Sequence, residues 1–425
     1  MEFSPAMHPT SAPRVFALLW LLMGCHGSPE IERVVLIVVD TLRRDALAAY
    51  GGSAETPAID ALAARGQVHR HAVSSYHQTV MSMGALFTGR TPSIERRGAE
   101  TIPMTGRTWC GMARFDPTLA SPRCIPDAVP TLAEALREAG YRTIGIVSNP
   151  LLFVPFGIER GFDEWIEVGG PGTRVDRAVL WRGRRAAAVS AAAAEALERR
   201  TSDRFFLYVH FMDVHDFDYD LHDMDGSRQR YLAGLAPVDR AIGELLASLE
   251  RQGLQPGTAV ILTSDHGERF GEQHFAQGTL SHAGNPSFEE LLAVPLIVAP
   301  PLFECVTASF RTDELFRVIS ERVGARGPVS DLAAGELFVS ETEYRTYRHG
   351  RWKSFLRRAD RKLALVDLAA DPAERSDVAD RHPEVARAHL ERIGELADAL
   401  GVDGAGVDAR TLEDEARLRA LGYLE

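Results

Sequence analysis

Val34-Val35-Leu36-Ile37-Val38-Val39-Asp40 is a run of six apolar, mostly β-branched residues stopped by a carboxylate. Such a run suits a strand buried on both faces of a parallel sheet, where no side chain has to meet water. A second run, Thr258 to Thr263, leads into Ser264-Asp265-His266. Thr143 to Val147, Phe205 to Phe211 and Val294 to Val298 are further strand candidates. Helical signals fall between them. Thr56-Pro57 opens a helix through Ala64, with Thr as cap and Gly66 as stop. Thr131-Leu132-Ala133-Glu134 is a capping box, and its helix ends at Gly140. Ala186 to Ala196 reads as helix, and Val238, Ile242, Leu245, Leu246 and Leu249 recur at helical spacing ahead of Gly253. Helices alternating with apolar strands predict an α/β fold, a large and mostly parallel sheet flanked by helices.

From about Thr307 the texture changes. Strand-like pieces at Leu337 to Val339, Ser354 to Leu356 and Leu363 to Val366 precede a polar helix around Glu384 to Leu400. The expectation is a main domain over 30–306 and a smaller C-terminal α+β subdomain over 307–425.

The chain has 425 residues and a formal net charge of -12, which argues against nucleic acid as a partner. Basic runs at Arg182 to Arg185 and Arg357 to Arg361 read as solvated faces. Residues 1–25 differ. Arg14 precedes a short apolar run, Val15 to Met23, followed by Gly24-Cys25. This is a signal peptide ending in what resembles a bacterial lipoprotein box, with Cys25 as the lipidation site. An ordinary signal peptide with an incidental Cys is the alternative. Both imply export, either lipid-anchored at a bacterial envelope (periplasm or outer membrane) or secreted, with membrane contact only through the anchor. In an oxidising compartment Cys110 and Cys124 can close a short disulfide loop stabilised by roughly 3 kcal/mol, leaving Cys305 as a buried thiol.

In open parallel sheets, ligands gather at the carboxyl ends of strands, where Asp40 and Asp265-His266 both stand. A single strand-end Asp can be a helix cap. Two converging carboxylates repel one another unless a cation joins them. The adjacent imidazole favours one divalent ion such as Zn, Mn or Mg over Ca, with room for a second.

In order along the chain come VVLIVVDTLRRDALAAYG, TPAIDALAARG, ALFTGRTPS, TLAEALREAGYRTIGIVSN, GFDEW, FFLYVHFMDVHDFDY, ILTSDHGERFGE, HAGNPSFEELLAVPLIV, VDLAADPAER and LRALGYL. Together they resemble the sulfatase family of the alkaline-phosphatase superfamily, from about Val34 to the C-terminus. The resemblance implies metal-assisted attack on a sulfate or phosphate ester by a nucleophile at a helix N-terminus that also touches the metal. Counting ten back from Gly89 of the Thr-Gly pair gives Thr79. The formylglycine motif Cys-x-Pro-x-Arg is absent; the chain reads Thr79-Val80-Met81-Ser82-Met83. A Thr here resembles the phosphodiesterase, phosphonate-hydrolase and phosphoglycerol-transferase branches. The implied metal ligands are Asp40, Thr79, Asp265 and His266.

His215 and His282 resemble the family's contacts to the ester anion, and Asn149 stands where many members carry a Lys. Ser82 is the fallback nucleophile, and helix capping is the alternative role for Thr79. His77, His210, Asp213 and His274 are weaker candidates, with His210 expected to be structural. The leading reading is a hydrolase acting on a sulfated or phosphorylated small molecule or glycan. A phosphoglycerol- or phosphoethanolamine-type envelope transferase and a catalytically decayed glycan-binding homologue are the alternatives.

Overall fold

The computed structural model describes Met1 and residues 31–401, apart from 94–95, 98–99, 102–109, 117–120, 122, 154–156, 170–184, 201, 216–218, 221, 277–280, 283–285, 305–307 and 342. Cys25 with the expected export segment, and Cys305, lie outside these residues. The first strand, β1 (Arg33–Val39), is buried along its whole length. Its alternate residues serve two cores: Val34, Leu36 and Val38 face one, Val35, Ile37 and Val39 the other. Burying each such side chain contributes about 1.5–3 kcal/mol, so the strand is anchored from both sides.

In chain order there follow α1 (Pro57–Arg65), β2 (Gln67–Val68), β3 (Ala72–Val73), α2 (Thr79–Thr88), β4 (Arg96–Arg97), β5 (Glu100–Thr101), α3 (Leu132–Glu138), β6 (Arg142–Val147) and β7 (Glu164–Glu167). Next come α4 (Arg185–Glu198), β8 (Phe205–Phe211), α5 (Met224–Arg251), β9 (Thr258–Thr263), α6 (Glu289–Leu292), β10 (Leu296–Ala299), β11 (Phe310–Arg311) and α7 (Glu314–Val323). The chain closes with β12 (Glu336–Ser340), β13 (Tyr344–His349), β14 (Trp352–Arg357), β15 (Leu363–Asp367) and α8 (Pro383–Ala399).

The main sheet has seven strands in the order β2-β10-β9-β1-β8-β6-β7. Its five central and right-hand strands are parallel, while β10 is antiparallel to both neighbours. Val80, Met83 and Phe87 of α2, Leu132 and Leu136 of α3, and Leu315 and Phe316 of α7 fill one core. Ile59 of α1, Val189 of α4, and Val238, Ile242 and Leu245 of α5 fill the other. Among the described residues, no helix is long and apolar enough to cross a membrane.

Strands β12 to β15 form an antiparallel meander. One face packs on Ile393, Leu396 and Ala397 of α8. The other presents Leu337 and Val339 to Tyr76 and Met81, and Phe355 to Phe288, on the main sheet's side. The capping box at Thr131 forms with both of its hydrogen bonds. Thr56 departs from expectation: it stands at the N-cap of α1 but makes no side-chain cap bond. Asp239, from α5, accepts from the N–H groups of Ile59 at 2.9 Å and Ala58 at 3.1 Å instead. A neighbouring helix thus caps α1. Strand β13 escaped the sequence reading because Tyr-Arg-Thr-Tyr-Arg-His carries too little apolar content to register as a strand.

Candidate active site

Strands β1 and β9 are parallel neighbours with Val38 opposite Thr263, so both chains emerge at the same end of the sheet. That register sets Asp40 beside Asp265. The next residue, Thr41, is left-handed at φ 57°, a conformation that strains a β-branched residue by about 1–3 kcal/mol. Its N–H is thereby aimed at Asp265 Oδ1, 3.0 Å away, which also accepts from the His266 N–H at 2.9 Å. Ser264 ties the two strand ends together: its hydroxyl donates to Val39 O at 2.6 Å and accepts from Leu42 N–H at 2.8 Å.

Asp40 Oδ2 accepts from Asn149 Nδ2 at 2.6 Å and faces His210 Nε2 at 3.1 Å. A lone pair would repel the carboxylate at that distance, so Nε2 carries the hydrogen and the Tyr208 hydroxyl donates to Nδ1 at 2.8 Å. Two carboxylate oxygens remain, Asp40 Oδ1 and Asp265 Oδ2, both buried without a hydrogen-bond partner. Donor atoms of Asp40, Asp265 and His210 lie within 4.8 Å of one another. Burial pushes the Asp40 carboxyl up, but the His210 hydrogen bond, helped by His215, outweighs it and holds the group well below the ordinary carboxylate range. Asp40 is thus held as a carboxylate, and the unpartnered Asp265 oxygen buried beside it calls for a cation.

Thr79 is the first residue of α2, with Gln78 as N-cap. Its Oγ1 lies 3.3 Å from His266 Nε2. His266 Nδ1–H donates to Gly267 O at 2.8 Å, so Nε2 presents its lone pair. That same nitrogen is 3.5 Å from Asp265 Oδ2. Burial lowers the His266 imidazole below its usual range, which keeps it a ligand rather than a cation. The residues fit a divalent ion. Asp40 Oδ1, Asp265 Oδ2, His266 Nε2 and Thr79 Oγ1 supply two anionic oxygens, one imidazole and one hydroxyl. Gly267 is required by close approach, since a Cβ there would come within 1.9 Å of the Glu290 carbonyl oxygen. Ser82, the fallback, is one turn further into α2, with its hydroxyl on Tyr76 O at 2.7 Å and 3.0 Å from Ser74 Oγ.

Three histidines complete the wall. The His282 ring stacks on His266 at 4.7 Å between centroids and meets the edge of His215 at 5.0 Å. His282 Nδ1 lies 2.8 Å from Glu268 Oε2. Behind it, His77 Nδ1–H donates to the His282 carbonyl at 2.8 Å, and His77 Nε2 lies 3.3 Å from Glu341 Oε1. Glu341 follows β12, so the C-terminal sheet braces the site. Burial raises the Glu268 carboxyl, but the neighbouring imidazoles, His282 foremost, hold it below its ordinary range.

The structure adds two contacts to Asp40. His210, expected to be structural, meets the Asp40 carboxylate because β8 pairs with β1 and sets His210 opposite Val38. Asn149, expected to face substrate, gives an amide hydrogen to Asp40, and its Oδ1 accepts from Leu151 N–H at 2.8 Å. Asp213 accepts from Ala186 N–H at 2.9 Å, at the start of α4. Thr41, Ser264, Tyr208, Glu268 and Glu341 were not anticipated. Glu268 was visible in Asp-His-Gly-Glu, but nothing in the sequence tied Glu341 to the site. Cys110 and Cys124 form a disulfide, which lies against Gly84 of α2.

Residues 32–302 match the Sulfatase family. The chain belongs to the sulfatase family. Among curated relatives, it is 28% identical over 300 residues to N-acetylgalactosamine-6-sulfatase of Canis lupus familiaris, covering 61% of this chain and 56% of that one. It is 28% identical over 227 residues to choline-sulfatase of Rhizobium meliloti (strain 1021), covering 48% and 43%. The chain thus spans about half the length of the curated relatives it matches. Similar folds occur in the phosphonate monoester hydrolase of Agrobacterium radiobacter, with TM-score 0.65, 17% identity and coverage of 88% and 96%. Another is Ps i-CgsB in complex with k-i-k-neocarrahexaose, with TM-score 0.66, 16% identity and coverage of 93% and 97%. The large helix-flanked sheet and the antiparallel C-terminal sheet match sulfatase structures.

Proposed function

We propose that the chain is a metal-dependent hydrolase of sulfate or phosphate esters in which Thr79 is the nucleophile. The observation that carries this reading is the pair of buried, unpartnered oxygens, Asp40 Oδ1 and Asp265 Oδ2, beside a His266 lone pair that faces the Thr79 hydroxyl. A divalent cation held by Asp40, Asp265, His266 and Thr79 supplies Lewis acidity, which makes a hydroxyl nucleophilic near neutral pH. Thr79 loses its proton to solvent, and its oxygen bonds to sulfur or phosphorus as the bond to the leaving oxygen breaks. His282 gives that oxygen a proton. Water then attacks the same sulfur or phosphorus atom, His282 takes up the released proton, and the bond to Thr79 breaks. The start of α2 contributes oriented N–H groups toward developing negative charge.

Around Thr79 the described imidazoles are His266, His282 stacked on it, and His215 edge-on to His282, and Asn149 stands where the resemblance implies a Lys. That balance favours a monoanionic phosphodiester, or a sulfate ester, over a dianionic phosphate monoester. The relatives' names support an ester of a sugar or small molecule as the substrate class. Export, with Cys25 as lipidation site, belongs to the same proposal. The test is turnover of sulfate monoester, phosphate monoester and phosphate diester by the metal-loaded wild type and Thr79→Ala. We expect Thr79→Ala to keep its metal yet lose more than about a hundredfold in kcat. Activity that survives Thr79→Ala refutes the nucleophile, and equal turnover of phosphate monoesters refutes the substrate preference.

A further inference from the structure

We propose that Glu268 is a positioning residue that fixes the tautomer and aim of His282, so that Nε2 is the nitrogen meeting the ester's leaving oxygen. This rests on the hydrolase reading above. Glu268 is only 2% exposed. Its own position is set by backbone bonds: Oε1 accepts from Arg269 N–H at 3.0 Å, and its carbonyl accepts from Arg43 Nη1 at 2.9 Å. Oε2 is left for the His282 ring, 2.8 Å from Nδ1.

A carboxylate only accepts, so Nδ1 must carry hydrogen, and the opposite nitrogen, Nε2, is left for the reacting groups. The remaining freedom of His282 is taken up elsewhere. Ring stacking on His266 sets its plane, and His77 holds its backbone carbonyl. Ser281 just before it is left-handed at φ 63°, and the Ser281 N–H is held by the Tyr219 hydroxyl at 3.2 Å. Tyr219 in turn donates to the carbonyl of Arg269, next to Glu268, at 2.6 Å. One short segment, Glu268-Arg269, therefore grips the His282 loop at both side chain and backbone. This explains the Glu of Asp-His-Gly-Glu, which binds no metal in the proposed site: it supports the wall opposite its own ligand residue, His266.

Two readouts separate positioning from mere stability. In histidine-labelled protein, nitrogen NMR of wild type should show His282 protonated at Nδ1. Glu268→Gln can offer Nδ1 an amide N–H, so the proton should move to Nε2, and Glu268→Asp should keep part of the wild-type signature. An unchanged His282 tautomer in Glu268→Gln overturns the proposal. In kinetics, Glu268→Gln should lower kcat/KM, which reports only the first step, roughly ten- to hundredfold for esters with alkyl leaving groups. Nitrophenyl esters, whose leaving oxygen needs no proton, should change little in kcat/KM, with metal content unaltered and Glu268→Asp intermediate. Equal losses of kcat/KM on both ester types, or loss of metal, also overturn it. If wild type turns over neither ester, the hydrolase reading falls, while the NMR comparison still decides whether Glu268 places His282.

Discussion

Two clusters of buried carboxylate and imidazole stand on this sheet's side, and they are built on opposite principles. At His274, Glu290 and Glu374 the donor atoms also converge within 4.8 Å. There every carboxylate has a cation. Arg269 Nε is 2.9 Å from Glu290 Oε1, Lys353 Nζ is 2.8 Å from Glu374 and 3.0 Å from Glu289, and Arg348 Nη1 is 2.8 Å from Glu289. His274 is further occupied by the Ala373 carbonyl and by stacking on Phe288. At Asp40 and Asp265, among the described residues, ion-pair partners are histidines alone, and one oxygen of each acid is unpartnered. Compensated charge joins the C-terminal sheet to the main one. Uncompensated charge marks the place where a ligand must complete the structure.

The largest effect is expected at the uncompensated pair. Asp265→Asn should lose more than about a hundredfold in kcat, since loss of even an outer-shell partner costs ten- to a hundredfold. In metal-free protein the same change should stabilise the fold by about 1–3 kcal/mol in urea denaturation, because it removes one of two repelling charges. Destabilisation of the metal-free form would break the contrast. Lys353→Met should do the opposite, stranding Glu374, leaving Glu289 to Arg348 alone and costing about 3–5 kcal/mol of stability, with metal content unchanged. A smaller effect sharpens the point through pH. Burial, reinforced by Glu289 and opposed by Lys353, pushes the Glu374 carboxyl up to about 7. A folded-state value above the unfolded one means that the native state binds more protons, so this group's stabilisation is full below about pH 4.5 and is lost as pH rises toward 7. Relative to Glu374→Gln, wild type should lose about 3 kcal/mol across that window, read by denaturant midpoints at several pH values. The smallest effect belongs to His274→Gln, which should leave metal stoichiometry as in wild type; a loss of bound metal would make the second cluster a site as well.

This contrast was half legible in the sequence. Strand ends at Asp40 and Asp265 could be read because β1 and β9 are buried on both faces, and so are written as unbroken apolar runs. Thr79 came from its distance to Gly89, whose left-handed φ of 64° ends α2. The contacts of Asn149 and His210 with Asp40 were not legible because the sequence does not say which strand lies next to β1. That adjacency, β1 beside β8 and β8 beside β6, points both side chains at Asp40. The second cluster was invisible for a similar reason: Lys353, Glu374 and Glu289 are far apart in the chain, and each alone reads as a surface charge. Only packing of the C-terminal meander on Phe288 brings them together.

Metal stoichiometry across both clusters tests the central claim most directly. Purified wild type, Asp40→Asn and Glu374→Gln would be dialysed against Zn or Mn and analysed for metal per chain. About one tightly held equivalent is expected in wild type and Glu374→Gln, and none in a folded Asp40→Asn protein. Metal retained by Asp40→Asn, or absent from wild type, would contradict the account.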